Sequence, residues 1–186
     1  MSQNNARTEQ HAVLGGGCFW CLEAVFTRLR GVSQVVSGYC GGQTPHPSYD
    51  AICSGSTGHA EVVRVSFQPD EIDFTTLLQV FFSIHDPTTL NRQGHDQGTQ
   101  YRSVIFPQTP QQERQAREMI TELGAARIFP DPIVTAISPA APFYPAEGYH
   151  QRYYDHHAAQ PYCRIVIHPK LAHLRQGFAE LLRDGD

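Results

Sequence analysis

Apolar residues recur along this chain with two periods, and each change of period marks an element. The short run Ala12, Val13, Leu14 ends in three glycines, Gly15 to Gly17, and predicts a strand that runs into a turn. From residue 18 the spacing is helical: Leu22, Val25, Phe26 and Leu29 share a face, which predicts an amphipathic helix over 18–29. Gly31 stops that helix, and residues 32–38 read as a strand. Residues 39–58, YCGGQTPHPSYDAICSGSTG, are crowded with Gly, Pro and Ser and predict a long loop. A loop of that length inside a compact domain is uncommon unless it has a function, and Tyr39, Tyr49 and Ile52 give it side chains to pack.

Residues 60–67, AEVVRVSF, form the clearest strand. Alternation puts Glu61, Val63, Val65 and Phe67 on one face and Ala60, Val62, Arg64 and Ser66 on the other. Arg64 marks the second face as the wetter one, so Glu61 points to the apolar side, where desolvation raises the pKa of a carboxyl group. That is the property of a general acid; a glutamate fraying into water at the strand end is the competing reading. Asp73 caps a helix over 74–85 that buries Leu77, Leu78, Phe81, Phe82 and Ile84, and Asp86 and Pro87 end it. A second polar loop over 88–100 leads into a strand near 101–106. Thr109, Pro110 and Gln112 form a capping box for a helix to about residue 123. Then come a strand at 133–137, a short helix at 147–157, a last strand at 162–167 carrying Cys163, and a terminal helix from Pro169 to about 183. Up to residue 106 the order of strand, helix, strand, strand, helix, strand is that of a ferredoxin-like split β-α-β unit. The predicted class is therefore α+β, a mixed sheet with helices packed on it, elaborated by long functional loops and a C-terminal extension.

Composition narrows the picture. The 186 residues are 40% hydrophobic and 17% charged, ordinary for a soluble globular protein, and suffice to bury a sizeable core as one domain. We expect a disordered polar tail over 1–10 and a single domain over 11–186. A net charge of -4 without a basic run argues against a nucleic-acid or anionic-membrane partner. The start is polar and no apolar run reaches the length of a membrane span, so the expected setting is cytoplasmic and the expected state a monomer.

Five cysteines, Cys18, Cys21, Cys40, Cys53 and Cys163, point to reactive thiols or a metal before a structural disulfide framework. Cys18 stands at a predicted helix N-terminus, where free N–H groups and the positive end of the helix dipole favour the reactive thiolate. The glycines before it free the backbone to turn and let a substrate come close. Cys18 and Cys21 form a C-x-x-C among ten histidines, but no second ligand pair stands at zinc spacing, so no metal is assigned. A thioredoxin-like disulfide oxidoreductase would use the C-x-x-C directly; against it, the bulky Phe19 and Trp20 between the cysteines suggest a pocket for a hydrophobic group. A Cys-His acyl-transfer enzyme with His59 or His150 as base is a third reading. Phe19 and Trp20 could equally be core residues, and packing explains Cys40 and Cys53 as well as chemistry does.

Three long segments, GGGCFWCLEAVF, SGSTGHAEVVRVSF and IHDPTTLNRQGHDQGTQYRS, occur in order, with GYCGG, FYPAEGYHQRYY and QPYC in support. Together they closely resemble peptide methionine sulfoxide reductase of the A type over about residues 11–170. The resemblance implies reduction of the S epimer of methionine sulfoxide, free or in a polypeptide, in protein repair and defence against oxidative stress. It also implies roles. Cys18 matches the nucleophile and Glu61 the acid that protonates the sulfoxide oxygen. Tyr49 and Tyr101 match two phenols that hydrogen-bond at that oxygen, Asp96 a polar group that positions the substrate, and Phe19 and Trp20 the aromatic pocket for the methyl group. A sulfenic acid on Cys18 then condenses with a second cysteine. Cys163, in the region where the family recycles, is the first candidate, and Cys21, where many members have glycine, is the alternative. The resemblance implies no cofactor, because reducing equivalents come from thioredoxin or from dithiothreitol. Two other functions stand beside this one: a thioredoxin-like disulfide oxidoreductase, and a non-catalytic binder of methionine-rich segments.

Overall fold

The structure, a computed structural model, describes residues 8–186. Strand β1 (Gln10–Gly15) leads into α1 (Phe19–Phe26), β2 (Val32–Cys40), a short α2 (Tyr49–Cys53), β3 (Ala60–Phe67) and α3 (Phe74–Ile84). A small hairpin of β4 (Arg92–Gln93) and β5 (Asp96–Gln97) precedes β6 (Val104–Phe106) and α4 (Pro110–Ala125). The chain ends with β7 (Ala136–Ile137), β8 (Phe143–Pro145), α5 (Tyr153–His157) and α6 (His168–Gly177). Of the tail expected over 1–10, residues 1–7 lie outside the described residues, and Gln10 already pairs with Phe67 in the sheet.

Six strands form one sheet in the order β7-β6-β1-β3-β2-β8. In its centre β1 runs antiparallel to β6 and to β3, and β3 antiparallel to β2. Each strand-helix-strand unit thus leaves a gap that a strand of the other fills, which is the split β-α-β arrangement. β7 adds parallel to β6 and β8 antiparallel to β2, so the sheet is mixed. The parity of β3 carries the two faces. Val63, Val65 and Phe67 enter the main core with Leu14, Leu22, Phe26, Leu77 and Phe81. Ala60 and Val62 join a smaller cluster with Val13, Cys40, Val104 and Phe106. Arg64 lies on this second face, its guanidinium 4.6 Å from the centre of the Phe143 ring.

The helix caps form as the sequence suggests. Asp73 Oδ1 accepts from the Thr76 N–H at 2.7 Å, and Thr109 Oγ1 from the Gln112 N–H at 3.1 Å. The Gln112 side chain accepts from the Gln108 N–H at 3.0 Å and donates to His11 O at 2.8 Å, which ties α4 to β1. Phe26 is fully buried where α1 meets the sheet. We expect Phe26→Ala to cost about 3–5 kcal/mol in urea unfolding, and a loss under about 1 kcal/mol would show that α1 is not anchored there.

Five boundaries differ from expectation. The long loop contains α2, opened by Ser48, whose hydroxyl accepts from the Ala51 N–H at 3.2 Å. The strand expected near 101–106 starts only at Val104, after a 3-10 turn at Thr99–Tyr101, and the strand expected at 133–137 shrinks to Ala136–Ile137. The expected last strand is no strand: Cys163–Ile167 is a π-helical turn that runs directly into α6. Cys163, Ile167, Leu171 and Leu174 are buried, a helical spacing, while Ile165 points to solvent. β7 and β8 form the edges of the sheet, and the segment packs instead on α1, α5 and α6. The terminal helix stops at Gly177, before a 3-10 turn at Ala179–Leu181.

Candidate active site

The turn from β1 into α1 sets the site. Gly15 still pairs with Val104 on β6, and a Cβ there would lie 2.9 Å from Val104 Cγ1 and 3.0 Å from Glu61 O. Gly17 adopts φ +95°, open to glycine and strained for other residues, and a Cβ there would meet Gln93 Cγ at 2.6 Å. The space left by these two glycines is filled by the protein's own side chains and not kept for a substrate, which corrects the expectation above. Cys18 follows as the N-cap of α1, in extended conformation, with only 8% of its surface exposed.

The first free N–H groups of α1 are shared between two reactive groups. The Phe19 N–H donates to Glu61 Oε2 at 3.1 Å, and the Trp20 N–H points to the Cys18 sulfur. Glu61 reaches this position from β3 on the parity predicted for it and is 1% exposed. Burial pushes its carboxyl pKa up to about 8, against the opposing pull of the Phe19 N–H. Burial likewise holds Cys18 well above the usual thiol range, helped by its hydrogen bond with Cys21 and by the charge of Glu61. The sequence suggested a thiolate at the helix start; in the structure desolvation overrides the helix end.

Around this pair stand the aromatic residues. Phe19 is fully buried against Tyr39 and His150, with ring centroids 5.7 and 5.1 Å away. Trp20 is part-buried and stacks on Tyr153 at 3.7 Å and 7°. Its Nε1–H donates to His150 Nδ1 at 3.1 Å, and the His150 ring lies 4.4 Å from that of Tyr49. Tyr49 and Tyr101 are held above the usual phenol range mainly by burial, with Glu61 close enough to raise both further. Glu147 fixes this side of the site: it accepts from Tyr39 Oη at 3.0 Å and from the Tyr49 N–H at 3.1 Å.

The remaining polar groups run from Asp96 to the cysteines. Asp96 Oδ2 accepts from Tyr162 Oη at 2.7 Å, and the same phenol lies 3.7 Å from Cys21 Sγ. Asp96 also raises Glu61 through its charge. Cys163 is fully buried, raised by burial and by Cys21. The residues to which the resemblance gives roles therefore belong to one region: Cys18, Glu61, Phe19, Trp20, Tyr49, Tyr101 and Asp96, with Cys21 and Cys163 adjoining. Cys40 stays outside it: its thiol donates to Ala141 O at 3.6 Å, and burial lifts its pKa to about 11. Cys53 is exposed, not packed.

Several residues here carry no signal of their own in the sequence. Tyr162 sat in the segment expected as a strand. Glu23 is 2% exposed, and its Oε1 accepts from the Arg152 N–H at 2.7 Å, which pins the start of α5 and so Tyr153 behind Trp20. His150, weighed as a base for acyl transfer, serves instead as the acceptor for Trp20. His59 has both ring nitrogens engaged by loop backbone, at Gly42 N (2.9 Å) and Thr44 O (2.7 Å). No group of three His, Cys, Asp or Glu able to hold a metal occurs among the described residues. A cavity of about 800 Å³ beside Glu23, Arg28 and Arg183 includes neither Cys18 nor Glu61.

Known proteins resemble this chain over nearly its full length. A sequence model described as Peptide methionine sulfoxide reductase matches residues 10–182. Peptide methionine sulfoxide reductase MsrA of Chromobacterium violaceum is 57% identical over 175 residues, covering 94% of this chain and 99% of that one. The MsrA of Deinococcus radiodurans is 56% identical over 182 residues, covering 98% and 88%. Among solved structures, Mxr1 from Saccharomyces cerevisiae in reduced form superposes with a TM-score of 0.75 at 32% identity, over 88% of this chain and 95% of that one. The same yeast protein, solved in complex with Trx2, shares the fold at a TM-score of 0.54 and 24% identity, over 82% and 89%. A match that begins at the first residue of β1 and closes beyond α6, joined to identities above one half, settles the kinship: the chain belongs to the peptide methionine sulfoxide reductase family, of the MsrA type.

Proposed function

We propose that this enzyme reduces the S epimer of methionine sulfoxide, free or within proteins, by attack of Cys18 on the sulfoxide sulfur with Glu61 as the general acid. The observation that carries the reading is the Glu61 carboxyl, 1% exposed and hydrogen-bonded to the first turn of the helix that Cys18 opens. A sulfoxide sulfur is a poor electrophile until its oxygen takes a proton, so the reaction needs an acid beside the thiol. Burial leaves Glu61 protonated near neutrality. The Phe19 N–H then steadies the carboxylate that remains once the proton has left, because a charged acceptor gains more from a helix-end N–H than a neutral one. A neutral Glu61 also lifts its Coulomb penalty from Cys18, which favours the thiolate during attack.

Tyr49 and Tyr101 supply phenolic hydrogen bonds at the sulfoxide oxygen, Asp96 helps to position the substrate through Tyr162, and Phe19 and Trp20 receive the methyl group. The sulfur of the substrate is reduced by two electrons, and Cys18 is oxidised to the sulfenic acid. A second thiol condenses with it, expelling water, and a thioredoxin-type reductant opens the resulting disulfide by exchange. Cys163 is the first candidate for this thiol and Cys21 the alternative. The complex of yeast Mxr1 with Trx2 supports thioredoxin as the reductant. Reversible thiol chemistry of this kind suits a cytoplasmic setting and protein repair, and the cycle calls for no bound cofactor. No helix among the described residues is long and apolar enough to cross a membrane.

A dithiothreitol-driven assay on the two separated epimers of methionine sulfoxide tests the reading. We expect turnover of the S epimer alone. Turnover of neither epimer, or efficient reduction of insulin disulfides in its place, would overturn it.

A further inference from the structure

The turn that delivers Cys18 to the head of α1 is shaped by two side chains to which the reaction gives no role. A Cβ on Gly16 would lie 3.1 Å from Cγ and Cδ2 of His85, and one on Gly17 would lie 2.6 and 2.9 Å from Cγ and Cβ of Gln93. The His85 ring is a fixed wall. A carbonyl only accepts, so Nδ1 donates to Phe81 O at 2.6 Å, and Nε2 is left to accept from the Ser103 hydroxyl at 2.8 Å. The Gln93 side chain does more than fill space. Its Oε1 accepts from the Asp86 N–H at 2.9 Å and its Nε2 donates to Asp86 O at 2.9 Å, so one amide takes both backbone groups of the residue that follows His85.

Gln93 also belongs to the β4–β5 hairpin, where it pairs directly with Asp96. This hairpin is a separate sheet of two strands with two residues each, and a pair of that size has little stability of its own. The bonds from Thr89 Oγ1 to Arg92 O at 2.5 Å and from the Gly98 N–H to Asn91 O at 2.9 Å close the segment on itself. Asp96 nevertheless has a fixed place to keep, since its carboxylate accepts from Tyr162 Oη and its charge reaches Glu61. The amide of Gln93 anchors the hairpin to the end of α3, and its stem lies on the residue before Cys18.

We propose that Gln93 is a positioning residue of the reduction: its stem holds the turn that carries Cys18, and its amide holds the hairpin that carries Asp96, so that one side chain keeps the nucleophile and the substrate-orienting carboxylate in register. The proposal rests on the roles given above to Cys18 and Asp96. Gln93 moves no proton, and its amide is spent on Asp86. Its effect is geometric. A misplacement of about 1 Å at a reacting centre can cost about 100-fold in rate. The amide bonds lie at the surface, where water can replace them, so their loss should matter little for stability and much for turnover. The two parts of the side chain act at different places. Losing the stem frees the turn beside Gly17 and slows the chemical step. Losing the amide lets the hairpin and Asp96 move, which weakens the hold on the substrate.

The test is single-turnover methionine release from the S epimer, without reductant and over a range of substrate concentrations, for the normal enzyme, Gln93→Met and Gln93→Ala. Methionine keeps an unbranched stem over Gly17 and drops both amide bonds; alanine drops stem and amide together. We expect Gln93→Met to need about tenfold more substrate for its half-maximal rate, and Gln93→Ala to show the same shift together with a maximal rate about tenfold lower. Methionine released per chain should equal that of the normal enzyme in both, because a positioning defect slows every molecule, whereas a folding defect removes some and leaves the rest at normal speed. Release at normal speed in reduced amount would overturn the proposal, as would half-maximal concentrations and maximal rates within about twofold of normal in both variants. A second measurement is independent of turnover: labelling of Cys18 by iodoacetamide, read by peptide mass spectrometry, should be faster in Gln93→Ala than in Gln93→Met, and equal rates would overturn the part given to the stem. Gln93→Met alone carries the claim for the amide if the alanine variant does not fold. No release by the normal enzyme would overturn the reductase reading itself, while normal release with unaffected variants overturns only the role of Gln93.

Discussion

Cys18→Ser should leave reduction of methionine sulfoxide at the rate given by dithiothreitol alone. The hydroxyl of serine is a far weaker nucleophile toward sulfur than a thiol, and Glu61, whose charge would reach it, is kept protonated near neutrality by burial. Cys21 does not stand in for the lost thiol, since it lies one turn further into α1 with its sulfur turned toward Tyr162. The fold should survive, because the exchange is nearly isosteric and serine is itself a favoured residue at a helix N-cap, the position Cys18 holds on α1. A loss within about 1.5 kcal/mol in urea unfolding would confirm that inactivity is chemical, since point changes with no cavity or stranded charge fall in that range. A variant that keeps even a tenth of the normal rate in the dithiothreitol assay would rule out Cys18 as the nucleophile.

The strand parity that placed Glu61 was legible because β3 has a buried layer on each side and only one of them carries the helices. Alternation along eight residues fixes which side chains share a face, and one charged residue, Arg64, told the faces apart. The same logic misjudged 162–167. YCRIVI alternates, but it also places Cys163 and Ile167 four apart, and six residues cannot decide between the two periods. What decided it was packing against α1, α5 and α6, which buries Cys163 and Ile167 together and is a property of the whole fold and not of the segment itself. The roles of Tyr162, His150 and Glu23 were hidden for a related reason. Their partners, Asp96, Trp20 and Arg152, lie far away in the chain and are joined to them by hydrogen bonds that leave no period in the sequence.

The protonation of Cys18 illustrates a question of magnitude. A helix N-terminus stabilises a negative charge by about 0.3–1 kcal/mol, up to about 2 in favourable sites, or roughly one pKa unit. Complete burial can move a thiol or carboxyl by several times that amount. Sequence reveals the helix start but not the depth of burial, so it predicts the smaller effect and misses the larger. The consequence is a pair at rest in which Cys18 and Glu61 both hold their protons until the substrate supplies a place for one of them.

Glu61→Gln should slow methionine release in a single turnover by ~100-fold or more, the usual contribution of a positioned acid. Glutamine keeps the volume and can still accept from the Phe19 N–H, so the start of α1 should stay in place; what it cannot do is give up a proton. The pH dependence tests the same point independently. With the carboxyl pKa near 8, the acid is present below that value and is lost as pH rises through it, and the new charge beside Cys18 then holds the thiol still higher. The normal enzyme should therefore lose single-turnover rate above about pH 8, and Glu61→Gln should lack that limb. Stability follows the same sign. The folded carboxyl titrates near 8 and the unfolded one near 4.3, so its contribution is complete below the unfolded value and disappears as pH rises through the folded one. Between pH 6 and 9 the urea midpoint of the normal enzyme should fall further than that of Glu61→Gln. A variant that releases methionine within about threefold of the normal rate, or whose rate declines above pH 8 as the normal enzyme's does, would remove Glu61 from the role of acid and leave it a buried residue that anchors α1.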